Sequence, residues 1–427
     1  MKIAYFSPLP PKKTGIAAYS QRLIPALAKL VQLELFDTDI AHFGDSQQYV
    51  IDYVASPSRI LNLDTYDVCL YHMGNNPHYH LSMYYVLQKH PGIVVLHDTV
   101  LYFLMAGQGK GGLFKSFCVE YGVERFQEYQ SIISDSPDND ILRYPYPERY
   151  PLLKSVLQQA KGIIVHSAYS ARQLQQAGYT GPIQVIPLLI DMERLSQIQK
   201  TSEIKRELGI HKDEIVLGCF GFIGLTKRMD SVFRSLSMLK DRLSYKLLIV
   251  GVGDELTQTI QFHGLEKHVI QKGYVHDMEF ERYLATTDIL INLRYPSMGE
   301  ASYTLIQAMS LGIPCIVTDH AWFSELPDPC VHKIGYDTDE SQQLADAIIK
   351  IATCANYKED LARHAVNYVS DNCLPMQVAS RYVQFLDQFV LKKEHHHEQK
   401  HHEEKHSIKS EWIKKYLLER VQNAIDF

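Results

Sequence analysis

The sequence predicts an α/β protein of two doubly wound domains, each built on a parallel sheet, with a helical extension behind them. Three observations carry that prediction. A chain of 427 residues exceeds what one ordinary hydrophobic core organises. Short apolar runs alternate with amphipathic stretches along most of it, and runs buried on both faces belong to parallel sheets. The second half then repeats the alternation of the first, and two sheets of moderate size are simpler than one of about a dozen strands.

Taken in order, "KIAYF" (2–6) reads as the first strand and Ile16 to Leu30 as an amphipathic helix. "LELF" (33–36), "DVCLYHM" (67–73), "GIVVLHD" (92–98), "GIIVHS" (162–167) and "IQVIPL" (183–188) complete the first set of strands. The boundary falls near Pro187 to Ser202, which gives a first domain over 1–188 and a second over 189–375. The second set is "IVLGCFGF" (215–222), "YKLLIVGVG" (245–253), "VIQKGYV" (269–275), "ILINLRY" (289–295), "PCIVTD" (314–319) and "CVHKIG" (330–335). Residues 376–391 form a strongly amphipathic helix, and 392–406 are a low-complexity, His-rich linker. The spacing of His397 and His401 suits adventitious metal affinity more than a built site. Residues 407–427 return to helical periodicity, with Ile413, Tyr416, Leu417, Val421 and Ile425 along one thin stripe.

Composition removes several classes of function. A net charge of -6 gives no general attraction to nucleic acid. No apolar run reaches the length of a membrane span, and "MKIAYFSPLPP" lacks the long apolar core of a signal peptide. The seven cysteines are odd in number and form no Cys-x-x-Cys pair, so they read as reduced core residues of a cytoplasmic protein. The stripe of the last helix is compatible with peripheral contact at the inner face of a membrane, though docking on a partner suits it better.

Chemistry concentrates at strand ends. The first βα turn, "SPLPPKKTGIAAYSQRL", holds a single glycine, Gly15, where a dinucleotide fold would carry three. This argues against an NAD site, while the helix start at Gly15 can still receive a phosphate. Thr14 as a plain helix cap explains the turn equally well. His97 and Asp98 end an apolar strand, where open α/β sheets place ligands. His97 can bond a sugar hydroxyl or move a proton, with Asp98 beside it in the donor site; a structural histidine next to a capping aspartate is the alternative. The polar loop "YHMGNNPHYH" and the turn with His166, Ser167 and Ser170 are explained by structure as well as by function.

In "CFGFIGLTKRMDSVF", Lys227 and Arg228 stand before a helix, against its dipole, which favours a pyrophosphate as their partner. In "RYPSMGEASYTLIQAM", Arg294, Glu300, Ala301 and Ser302 converge on another helix start. The amides and Arg294 suit a diphosphate and Glu300 suits hydroxyls. Gln307, seven residues after Glu300, is expected on the same helix face.

The set "SPLPP…TGIA.YS", "HD" at a strand end, "GF…K" and "GEAS…L.QAM..G.P.IVTD" resembles the retaining GT-B glycosyltransferases of family four, often called glycosyl transferases group 1. The resemblance covers residues 1–390 and is most specific from Asp288 to Pro327. It implies two Rossmann-like domains facing a cleft, with 376–391 crossing back to brace the first. It also implies transfer of a sugar from a nucleotide diphosphate sugar to a glycan or lipid-linked glycan hydroxyl, with retention and without a bound metal or other cofactor. By the same resemblance Gly15 approaches the donor phosphate, His97 sits by the transferred sugar and Lys227 neutralises the diphosphate. Glu300 and the amides of Ala301 and Ser302 hold sugar and phosphates. Two positions depart from the pattern: Phe222 replaces a phosphate-binding arginine, for which Arg228 or Arg294 would substitute, and Gln307 replaces a ribose-binding glutamate. The alternatives are an inactive scaffold that binds nucleotide sugar or glycan, and a sugar-nucleotide epimerase.

Overall fold

In the computed structural model, residues 1–39, 42–44, 48–55, 57–198, 202–253 and 255–397 are described, and the chain folds as two α/β units. The first comprises Met1–Leu189, Met298–Glu300 and the closing helix Pro375–His397; the second comprises Ile190–Ser297 and Ala301–Leu374.

The apolar runs of the first unit become β1 (Lys2–Phe6), β2 (Gln32–Asp37), β3 (His42–Phe43), β4 (Gln48–Asp52), β5 (Val68–Met73), β6 (Gly92–Leu96), β7 (Ala160–Val165) and β8 (Ile183–Val185). Among the described residues they form one sheet in the order β3-β4-β2-β1-β5-β6-β7-β8, parallel except where β3 meets β4. The chain winds outward from β1 in both directions, so the gap above the ends of β1 and β5 is a topological switch point. The hairpin β3–β4 has no counterpart in the strands read from sequence. Its first strand is two residues long, and the second, "QYVID", has a short apolar run that buries Val50 and Ile51 with Tyr49 exposed at its start. Helix α1 (Gly15–Leu27) packs against the closing helix Pro375–His397, where Tyr19 and Tyr382 share a hydrogen bond of 2.8 Å. Gly162 on β7 lets the same helix approach, since a Cβ there would press on Phe385 and Phe389. The closing helix runs past residue 391 into the expected linker; the remainder of that linker and the terminal helix 407–427 lie outside the described residues.

In the second unit β9 (Ile215–Phe220), β10 (Tyr245–Val250), β11 (Val269–Lys272), β12 (Ile289–Asn292), β13 (Cys315–Thr318) and β14 (His332–Ile334) form a parallel sheet ordered β11-β10-β9-β12-β13-β14. Its switch point lies between β9 and β12. Helix α2 (Met229–Leu239) buries Val232, Phe233, Leu236 and Leu239 at helical spacing, and α3 (Tyr303–Ser310) follows β12. No helix among the described residues is long and apolar enough to cross a membrane.

Candidate functional site

The second unit carries its polar groups at its switch point. Lys227 leaves β9 through the turn Gly221–Thr226 and is nearly buried, at 5% exposure. Its ammonium donates to Phe220 O at the end of β9 and to Asn292 Oδ1 at the end of β12, each at 2.9 Å. Asn292 Nδ2 in turn donates to Ser302 Oγ at 2.9 Å, and that oxygen also accepts the Leu305 amide as the cap of α3. A cation is therefore tied through one amide side chain to a helix start, across the two strands where open sheets bind ligands. Arg294 stands beside this group, with Nη1 donating to Thr226 Oγ1 at 3.0 Å. Asn292 and Thr226 were not among the residues expected from sequence. An asparagine in an apolar strand end ("ILIN") was the available signal for the first.

The structure disposes of Arg228 differently. It holds a left-handed backbone (φ 56, ψ 35) at the start of α2, and its guanidinium forks onto Glu340, with Nη2–Oε2 at 2.8 Å and Nε–Oε2 at 2.9 Å. Glu340 is buried, so Arg228 neutralises an internal carboxylate. Phe222 is exposed, at 68%.

The pairing of Glu300 with Gln307 on one helix face also needs correction. Helix α3 begins at Tyr303 behind the Ser302 cap, so Glu300 precedes it and helical spacing does not apply. Gln307 is buried within α3, whereas Met298–Glu300 belongs to the first unit. There Gly299 adopts φ +86, and a Cβ would overlap Thr99 Oγ1. The amides of Thr99 and Val100 donate to Met298 O at 2.7 and 3.1 Å, and Ser170 Oγ donates to Gly299 O at 2.8 Å. Glu300 folds back to accept the Met298 amide at 2.7 Å. Ala301 directly precedes the Ser302 cap.

The rest of the first unit's expected residues lie at strand ends. Gly15 is the first residue of α1; Thr14 Oγ1 already accepts the amides of Ile16 and Ala17, while nothing lies within 4 Å of where a Gly15 Cβ would be. Lys12 is bound to Asp37 at 2.6 Å. Asp98 Oδ2 accepts the Asn75 amide at 2.9 Å; Asn75 and Asn76 cap the next helices, which explains their loop structurally.

His97 is the middle of a row. His72 at the end of β5, His97 after β6 and His166 after β7 link their rings, with His72 Nδ1 to His97 Nε2 at 3.1 Å and His97 Nδ1 to His166 Nε2 at 3.2 Å. His166 Nδ1 bonds Ile186 O at 2.9 Å. Burial, and then the neighbouring imidazoles, hold His72 and His97 well below the usual imidazole range, and burial lowers His166 to about 4. His80 behind them is lowered to about 3 by the same cause.

Comparison with known proteins adds to this geometry. Residues 200–368 match the family model described as Glycosyl transferases group 1. N-acetyl-alpha-D-glucosaminyl L-malate synthase of Bacillus anthracis is 25% identical over 207 residues, covering 47% of this chain and 52% of that protein. The chain thus spans about half the length of the curated relative it matches. Anabaena HepE in complex with UDP-glucose aligns with a TM-score of 0.65 at 16% identity, over 91% of this chain and all of that one. Sucrose-phosphate synthase from Thermosynechococcus elongatus aligns at 0.64 and 16%, over 92% of this chain and all of that one. At such identities the likeness establishes the architecture, which is that of GT-B structures.

Proposed function

We propose, from a chain whose residues 200–368 match the glycosyl transferases group 1 model, a retaining glycosyltransferase that moves a sugar from a nucleotide diphosphate sugar to a hydroxyl of a saccharide or lipid-linked saccharide, in surface or exopolysaccharide synthesis. The observation that carries this reading is the Lys227 ammonium, buried at the switch point and tied through Asn292 to the start of α3. A fixed cation beside Arg294 and helix amides is what a departing diphosphate needs, because the charge it stabilises grows as the bond to the sugar breaks.

In that reaction the bond from the anomeric carbon to the β-phosphate oxygen breaks while the acceptor oxygen closes on the same face. The acceptor proton passes to the leaving diphosphate, and the positive charge on the sugar is transient. No enzyme nucleophile takes part. In this reading the open space at Gly15, at the start of α1, takes a phosphate, and Glu300, held by the Met298 amide, receives sugar hydroxyls. Gln307 supplies an uncharged amide for ribose. Arg228 is paired with Glu340, so Arg294 carries more of the second phosphate-binding role in this reading. No metal or cofactor enters the reading.

The test is a panel of labelled UDP-, GDP- and ADP-sugars, beginning with glucose and N-acetylglucosamine donors. One donor should be hydrolysed slowly without acceptor, and Lys227→Ala should lower that turnover by about a hundredfold or more. Donor binding seen by thermal shift without turnover would support the second reading, an inactive binding scaffold, for which exposed Phe222 speaks.

A further inference from the structure

The row of histidines has a direction, and Ile186 sets it. A carbonyl oxygen only accepts, so His166 must carry its proton on Nδ1 and leave Nε2 as a lone pair. His97 then donates from Nδ1 to that lone pair, and its own Nε2 accepts from His72 Nδ1. The row ends on His72 Nε2, which is buried and has no hydrogen-bond partner among the described residues. This ending fits the direction, since an unpaired lone pair costs less than an unpaired N–H.

We propose that His72 and His166 are positioning residues that clamp His97 as a neutral Nδ1–H imidazole, with both ring nitrogens engaged inside the protein. His97 then forms a fixed neutral surface beside the sugar and neither takes up nor gives up a proton during transfer. The inference rests on the reading that places His97 by the donor sugar, but the clamp itself is a property of the first unit alone.

The surroundings agree. Tyr19 of α1 packs edge-on to His97 at 5.2 Å and lies 5.3 Å from His166. Tyr5 of β1 covers His72 at 4.6 Å, and Tyr382 of the closing helix stacks over it at 6.3 Å. Burial raises the phenols of Tyr5 and Tyr382, so both remain neutral. His80 faces the row from the helix after β5 and is neutral as well. The charged neighbours are Asp98, whose Oδ2 is turned to the Asn75 amide, and Lys12, which is paired with Asp37. Protonating His97 would require one of its two ring hydrogen bonds to break, or a proton to enter at buried His72 Nε2 and the His72 Nδ1 proton to pass to His97 Nε2, which puts a cation among desolvated neutral rings.

Solvated imidazole prefers the Nε2–H form and titrates at about 6.5, so the clamp has a signature. In the full chain labelled with 15N-histidine, long-range 1H–15N spectra should show three Nδ1–H tautomers that vanish one by one in the single variants at 72, 97 and 166. Their shifts should stay constant from about pH 8 to about pH 5.5. His166→Gln keeps an acceptor near the place of Nε2 and should preserve the His97 tautomer; His166→Leu should release it. If a donor is turned over, His166→Leu should lower kcat by about tenfold with donor KM changed less than about twofold, and His166→Gln should restore most of it. An Nε2–H His97, a His97 titrating near neutral pH, or an unchanged kcat in His166→Leu would overturn the proposal. The spectra of the unmodified chain decide the tautomers even if a variant fails to fold or no donor is found.

Discussion

Lys227 and Arg228 are adjacent cations with different partners, and the partner decides what each can do. Lys227 donates to two neutral oxygens at the strand ends, which hold its position. Arg228 spends its charge on Glu340, whose side chain is only 2% exposed. Removing Arg228 would leave that carboxylate buried and unpaired. Arg228→Ala should therefore lower the stability of the second unit by about 2–3 kcal/mol, read as a fall in melting temperature, with donor KM changed less than about threefold. A large loss of donor affinity with unchanged stability would return Arg228 to the phosphate site. Sequence showed both residues at a helix start. It could not show Glu340, which is 112 residues away along the chain.

At the scale of elements, the turn from β12 into α3 is built from two local devices. Ser302 caps α3 by accepting the Leu305 amide, and the same oxygen receives Asn292. Ser302→Ala should cost about 1–2 kcal/mol and should loosen Lys227 through Asn292, lowering turnover as well as stability. Gly299 supplies a positive φ where the chain passes against Thr99. Gly299→Ala should displace Met298–Glu300 from the amides of Thr99 and Val100 and cost about 2–4 kcal/mol. Limited proteolysis should then cut near residue 299, and an unchanged melting temperature with unchanged cleavage would show that the turn tolerates a side chain. The serine and glycine were visible in sequence as a helix start and a hinge. The end of the helix spacing at Ser302, which separates Glu300 from Gln307, followed only from the backbone angles.

At the scale of the whole molecule, three buried histidines and the half-buried His97 make the first unit sensitive to acid. His72, His80, His97 and His166 all titrate below the value of about 6.5 they would have unfolded. Their stabilisation is complete above that value and is lost as pH falls through it, because the unfolded chain takes up protons that the folded chain refuses. Each contributes up to about 1.4 kcal/mol per pH unit in the interval from about 6.5 down to its folded value. Asp37, raised to about 6 by burial against the pull of Lys12, works in the opposite sense, since protonation becomes easier in the fold. One carboxyl does not offset four imidazoles. The melting temperature should fall steeply between about pH 6.5 and pH 4.5, and His166→Gln should make that fall shallower. A melting temperature flat over this range would mean that the row is charged or solvated in the fold.

By itself the sequence determined the two parallel sheets, their central strands and the helix starts that carry Gly15, Lys227 and Ser302. Those features follow from periodicities and caps only a few residues long; the outlying strands β3 and β4 escaped, β3 being two residues long and β4 having an apolar run of only three. What only the tertiary structure decided is which polar groups meet. His72, His97 and His166 come from three strands far apart in the chain, as do Lys227 and Asn292, and strand order brings each set together. Strand order is set by packing over the whole sheet, so no short stretch of sequence contains it.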